Sequence, residues 1–149
     1  MNITIVCVGK LKEEYWRAAA GEYVKRLGRF AKIKITELSE SKSDNIDEES
    51  SAIVAHIPKG AYVIALDVKG KEMTSEGLAG KIKELGLSSR PDICFIIGGS
   101  CGYNDEVRNL ADLKLSFSKF TFPHQLMRVI LLEQIYRAFK INAGEKYHK

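Results

Sequence analysis

The pentapeptide Gly98-Gly99-Ser100-Cys101-Gly102 follows the apolar run ICFII and precedes Asn104-Asp105-Glu106. It fits G-x-S-x-G, the sharp strand-to-helix turn on which some hydrolases expose a nucleophilic serine. Asp105 or Asp112, then His124 or His148, complete the chain order Ser–Asp–His. Against a hydrolase, 149 residues is short for such a fold, and Asp105 stands close enough to Ser100 to be a helix start. The same turn suits a second chemistry. Its glycines admit a ligand close to the backbone, and the helix start beyond favours anionic groups. A plain tight turn would need the same glycines.

The stretch SFSKFTFPHQLMRVI, Ser116 to Ile130, starts as a strand and ends as a helix. Phe117, Phe120 and Phe122 crowd the joint between them, and Pro123 closes it. Joints at the carboxyl ends of strands are where open α/β sheets bind ligands. The helix that follows is apolar around most of its circumference, so it must be covered on more than one side. Among its charges, Glu133 and Arg137 are spaced to pair with each other, while Arg128 or Arg137 could face a cleft. The chain ends GEKYHK, a frayed terminus by default, although Tyr147 and His148 are able to stack on a base or move a proton.

The elements that must position these residues alternate along the chain. Apolar runs predict strands at Ile3–Gly9, Ile33–Leu38, Tyr62–Val68, Ile93–Ile97 and Lys114–Phe117. Helical spacing covers Lys12–Phe30, about Asp47–Ile57, a segment from Thr74-Ser75-Glu76 to Gly86, a short piece at Asn104, and about Gln125–Asn142. This order predicts an α/β fold, a single domain over 1–149, with a mostly parallel sheet and helices on both faces. The polar segment Ser39–Ser51 reads as a loop or a loose helix start.

Composition narrows the function further. The 45% hydrophobic and 28% charged residues are those of an ordinary globular domain, and no apolar run is long enough for a membrane span. MNITIVCVGK reads as a first strand, not a signal peptide, which points to the cytoplasm. Cys7 and Cys94 lie in apolar runs and Cys101 in the glycine turn, with no CxxC pair, so neither a disulfide nor a metal site is expected. The G-x-G-x-x-G fingerprint and the G-x-x-x-x-G-K-[ST] loop are both missing. The net charge of +4 is uneven, because Lys10–Lys34 is basic, Glu37–Glu49 acidic and Arg137–Lys149 basic. A basic face could meet phosphate.

Taken together, VIALDVKGK, FIIGGSCGY, LSFSKFTFPHQLMRVILLEQIYRAFKI and GEKYHK resemble the ribosomal RNA large subunit methyltransferase H family of the SPOUT superfamily. MNITIVCVGKLKEEYW and EYVKRL match its N-terminus, and Ser39–Ile57 is short relative to many members. The resemblance implies a C-terminal trefoil knot, a homodimer, and S-adenosyl-L-methionine as cofactor. It implies methylation of N3 of a pseudouridine in large-subunit rRNA of the assembled ribosome. Carried over residue by residue, Leu66, Gly98, Phe117, Ser118, Lys119, Phe120, Thr121 and Phe122 would hold the cofactor. His148, Arg128 and Tyr147 would be catalytic, with the tail reaching the partner subunit's site. The basic N-terminal face, with Lys10, Lys12, Arg17, Lys25 and Arg29, would meet rRNA.

Overall fold

Ile3, Ile5 and Cys7 alternate with Thr4, Val6 and Val8 along the first strand, and all six are buried. A strand apolar on both faces belongs inside a parallel sheet covered by helices on each side. The computed structural model describes residues 1–149 and has that architecture. In chain order the elements are β1 (Asn2–Val8), α1 (Glu14–Leu27), β2 (Lys32–Leu38), α2 (Ile46–Ala55), β3 (Tyr62–Glu72), α3 (Ser75–Gly86), β4 (Ile93–Ile97), α4 (Asp105–Leu110), β5 (Leu113–Ser116) and α5 (His124–Asn142). The sheet order is β2-β1-β4-β3-β5, and every pairing is parallel.

Side-chain alternation divides the core in two. Ile3, Ile5, Phe95 and Ile64 pack with α1, α3 and α5, through residues such as Leu27, Ile82 and Leu131. Val6, Val8, Cys94 and Ile96 pack with Ile53 of α2 and Val107 of α4. Helix α5 lies against α1 and α3. These neighbours bury Leu131, Leu132, Ile135 and Ala138, while Met127, Val129, Ile130, Tyr136, Phe139 and Ile141 stay half-buried. No helix is long and apolar enough to cross a membrane.

Strand and helix expectations are met, with two differences. Strand β3 runs on to Glu72, because Leu115 of β5 stands opposite both Leu66 and Lys71, and Asp67–Gly70 bows out between them. A Cβ on Gly70 would sit 2.6 Å from the Lys114 carbonyl oxygen, so the bow needs a glycine there. The polar segment after β2 is a loop only as far as Asn45, whose side chain accepts from the Asp47 and Glu48 N–H groups and caps α2.

Burial pushes the Cys7 thiol up to about 11 and the Cys94 thiol up to about 12, from an ordinary 9.0. Both stay neutral in the fold, so their contribution to stability is complete below about pH 9 and is lost as pH rises through 11 to 12. Cys101 is exposed. Titration with a disulfide reagent at pH 8 should find one fast thiol in the native protein and three after unfolding.

Candidate active site

The first segment of β3, up to Leu66, ends beside the carboxyl ends of β4 and β5, and these three ends form a cleft of about 160 Å³. Leu66, Asp67 and Val68 form one wall, Ile97, Gly98 and Gly99 a second, and Phe117 to Phe122 a third. His124 and Met127 close it from the start of α5. Of the residues expected to hold a cofactor, Leu66, Gly98, Phe117, Ser118, Phe120, Thr121 and Phe122 all line this cleft. The Lys119 side chain is exposed and does not line the cleft.

The glycine turn is shaped by close approach. Gly102 has φ +77° and donates its N–H to the Gly99 carbonyl at 2.9 Å. A Cβ on Gly98 would stand 2.7 Å from the Gly102 carbonyl oxygen. Next to the turn, the Tyr103 hydroxyl donates to the Leu66 carbonyl at 3.0 Å, tying the ends of β3 and β4 together. Burial pushes this phenol up, and the neighbouring Asp67 carboxylate adds to the effect. Asp67 itself lies 3.7 Å from Arg108.

The wall from Ser118 to Phe122 carries backbone donors with nothing to bond. The N–H groups of Ser118, Lys119, Thr121 and Phe122 make no hydrogen bond within the chain, whereas Phe120 N–H is satisfied by the Ser118 hydroxyl at 3.0 Å. Unpaired donors beside aromatic walls suit a ligand with a flat apolar face and acceptor atoms at its edge. A nucleoside has both features, so the residues present fit the cofactor expected from the resemblance.

No hydrolase triad assembles. Ser100 Oγ has only Cys101 Sγ near it, at 4.0 Å. Asp105 binds Arg108, and Asp112 binds Arg90 and the Val63 N–H. His124 sits 3.6 Å from Glu40, and His148 lies between Glu76 and Arg137.

Arg128 is placed apart from the cleft wall. Its side chain is 1% exposed, donating to Glu37 Oε2 at 2.5 Å and to the Gly9 carbonyl at 2.8 Å, while Nε has no partner. The Leu11 N–H also donates to Glu37, and the Lys12 N–H to Gln125. These bonds pin the start of α5 to the loop after β1. Arg128 therefore holds the cleft's third wall from behind.

Tyr147 and His148 dock on α5 and α3. The Tyr147 hydroxyl donates to Glu133 at 3.1 Å, its ring packs edge-on against Tyr136 and lies under Arg137, and burial pushes the phenol up. Glu133 and Arg137 pair as their spacing predicts, at 2.6 Å. A second hollow of about 190 Å³ shares Leu115 and Phe117 with the cleft and reaches Thr74 and Ser75, just before Glu76. On the basic N-terminal face, Arg17 and Arg29 are engaged by Glu14 and Glu145, leaving Lys10, Lys12 and Lys25 exposed without a carboxylate partner. Sequence reasoning passed over Asp67, Tyr103 and Met127 as cleft residues. For Asp67, the signal was an acidic residue directly after an apolar strand run.

The model of the family described as "Predicted SPOUT methyltransferase" matches residues 1–148. A ribosomal RNA large subunit methyltransferase H from Clostridium novyi is 58% identical over 159 aligned positions, covering all of both chains. Its counterpart from Bifidobacterium adolescentis is 54% identical with the same coverage. Both alignments are longer than the 149 residues here, so this chain lacks positions that those relatives have. Among solved structures, a "probable methylase family protein" from Haemophilus influenzae superposes with a TM-score of 0.57 at 14% identity. That match covers 99% of this chain and 70% of the other, and it shows a shared fold.

Replacing Arg128 by Ala removes the buried half of a part-buried pair and should lower stability by about 2 kcal/mol in urea denaturation. Arg128→Lys keeps the charge without the fork and should recover only part of the loss.

Proposed function

The chain belongs to the SPOUT methyltransferase family, among the large-subunit rRNA methyltransferases H, and on that premise we propose the reaction it performs. It transfers a methyl group from S-adenosylmethionine to N3 of a pseudouridine in large-subunit rRNA, on the assembled ribosome in the cytoplasm. The observation that carries this reading is the cleft at the ends of β3, β4 and β5, with aromatic walls and unpaired N–H groups along Ser118–Phe122.

Leu66, Gly98 and the Phe117–Phe122 wall hold the cofactor, with Lys119 contributing through its backbone N–H. When bound, the cofactor supplies a methyl group on a positively charged sulfur. The chain's task is to bring the target nitrogen in line and to remove its proton. That nitrogen is a weak imide acid between two carbonyls. His148 accepts the proton. The guanidinium of Arg137, beside His148, stabilises the charge that develops on the carbonyl oxygens. Burial of Arg128 against Glu37 leaves that task to Arg137, and Tyr147 keeps Glu133 and Arg137 in place.

A homodimer belongs to the same reading, with the tail of one copy completing the site of the other. It is supported by exposed apolar side chains at the mouth of the cleft, Val68, Phe120 and Phe122. A trefoil knot belongs to it too. The exposed Lys10, Lys12 and Lys25 are the candidates for phosphate contact on the N-terminal face.

Isothermal titration with S-adenosylmethionine should show binding that Gly98→Val abolishes, since any Cβ at this position collides with the turn. Absence of binding to the wild-type protein, both free and on ribosomes, would refute the reading. Ser100→Ala should leave turnover on ribosomes within about twofold, because Ser100 has no acid–base partner. His148→Ala should lower turnover by about 100-fold or more, the usual size of a lost general base.

A further inference from the structure

The ring of His148 is held at both nitrogens. Nε2 lies 2.7 Å from Glu76 Oε1, and Nδ1 lies 3.1 Å from Arg137 Nη1. A guanidinium only donates hydrogen bonds. Nδ1 is therefore the bare nitrogen, and Nε2 carries the proton that it donates to the Glu76 carboxylate. Both neighbours are themselves fixed. Glu76 stands in the first turn of α3, two residues after the capping residue Thr74. Its own backbone N–H and then His148 hold its carboxyl below the usual range, so it is charged at neutral pH. Arg137 is gripped by Glu133 through Nε at 3.0 Å and Nη2 at 2.6 Å, which leaves Nη1 to His148.

We propose that Glu76 is a positioning residue for the methyl transfer. It holds His148 in the tautomer whose bare Nδ1 meets the imide N–H of the target base. This rests on the reading of His148 as the base. In the resting chain, the Arg137 Nη1–H fills the place of the substrate's N–H. When the base arrives, its imide N–H bond breaks and a new N–H bond forms at Nδ1. The electron pair left on the imide nitrogen spreads onto the two flanking carbonyl oxygens. The Arg137 Nη1–H, released from Nδ1, donates to one of those oxygens. Glu76 balances the imidazolium, which afterwards gives its proton to water. The arrangement is a carboxylate behind a histidine that fixes tautomer and orientation, as in hydrolytic triads, here assembled from α3 and the C-terminal tail.

The charged groups that face His148 are Glu76 from α3 and Arg137 from α5, with Glu133 behind Arg137. Tyr147, its neighbour in the tail, has its phenol pushed up and stays neutral. Glu76 fixes the ring from the Nε2 side and Arg137 from the Nδ1 side, so removing the Glu76 carboxylate frees the tautomer.

The test compares wild type, Glu76→Gln, Glu76→Asp and His148→Ala in methyl transfer to ribosomes across pH. It also records the ¹⁵N spectrum of the His148 ring in the free protein. The Glu76 side chain is 61% exposed, so these variants should fold as the wild type does. Glu76→Gln is expected to lower kcat about 10- to 100-fold, with the ribosome KM within about twofold. Glu76→Asp should restore part of kcat. The wild-type ring should be the Nε2–H tautomer, and the Glu76→Gln ring a mixture. Wild-type kcat and an unchanged tautomer in Glu76→Gln would overturn the proposal while leaving His148 as the base, provided that His148→Ala is impaired. Full turnover by His148→Ala would overturn both.

Discussion

A single buried cation fixes the geometry on which the site depends. Arg128, almost without solvent contact, is bound by Glu37 at the end of β2 and by the Gly9 carbonyl after β1. Taking a guanidinium out of water costs several kcal/mol, which one carboxylate and one carbonyl offset only with good geometry. Here one donor, Nε, remains unpaired. The consequence is positional. The start of α5 cannot slide relative to β1 and β2, so the chain from Phe117 to Pro123 is held at both ends, by β5 and by α5. A loop fixed in that way keeps its backbone donors aimed before any ligand arrives, and little binding energy is lost to ordering it.

The rest of the site follows from parallel strands ending together. Leu66, Ile97 and Leu115 lie at or next to the ends of adjacent strands, and the residues after them can only face one another across the sheet's carboxyl edge. The glycine turn after β4 is tight because Gly98 and Gly102 lie in backbone contact, and the Asp67–Gly70 bow within β3 is tight because Gly70 lies against the Lys114 backbone. The second hollow links this edge to the start of α3, so cleft and tail cluster share the wall made by Leu115 and Phe117.

Much of this was legible in the residues. Runs such as ICFII announce buried parallel strands, and the aromatic joint after β5 announces a pocket. Other features depend on partners distant in sequence. Nothing near Arg128 signals that Glu37, 91 residues away, will bury it. Nothing near His148 points to Glu76, 72 residues away. The extension of β3 was hidden because Asp67-Val68-Lys69-Gly70 has a turn's composition, and only β5 pulls the chain back into register. Counting charges along α1 likewise overstated its free cations, since Arg17, Arg26 and Arg29 are all engaged by carboxylates. The apolar circumference of α5 correctly required cover on several sides, and α1 and α3 supply cover within the chain itself.

The most direct test of the account is to incubate ribosomes lacking the modification with the protein and methyl-labelled S-adenosylmethionine, then map the label in the RNA by mass spectrometry. The account predicts one methyl group per large subunit, at N3 of a pseudouridine. It also predicts little or no label on protein-free RNA. Label at another atom, or transfer to free RNA as efficient as to ribosomes, would contradict it.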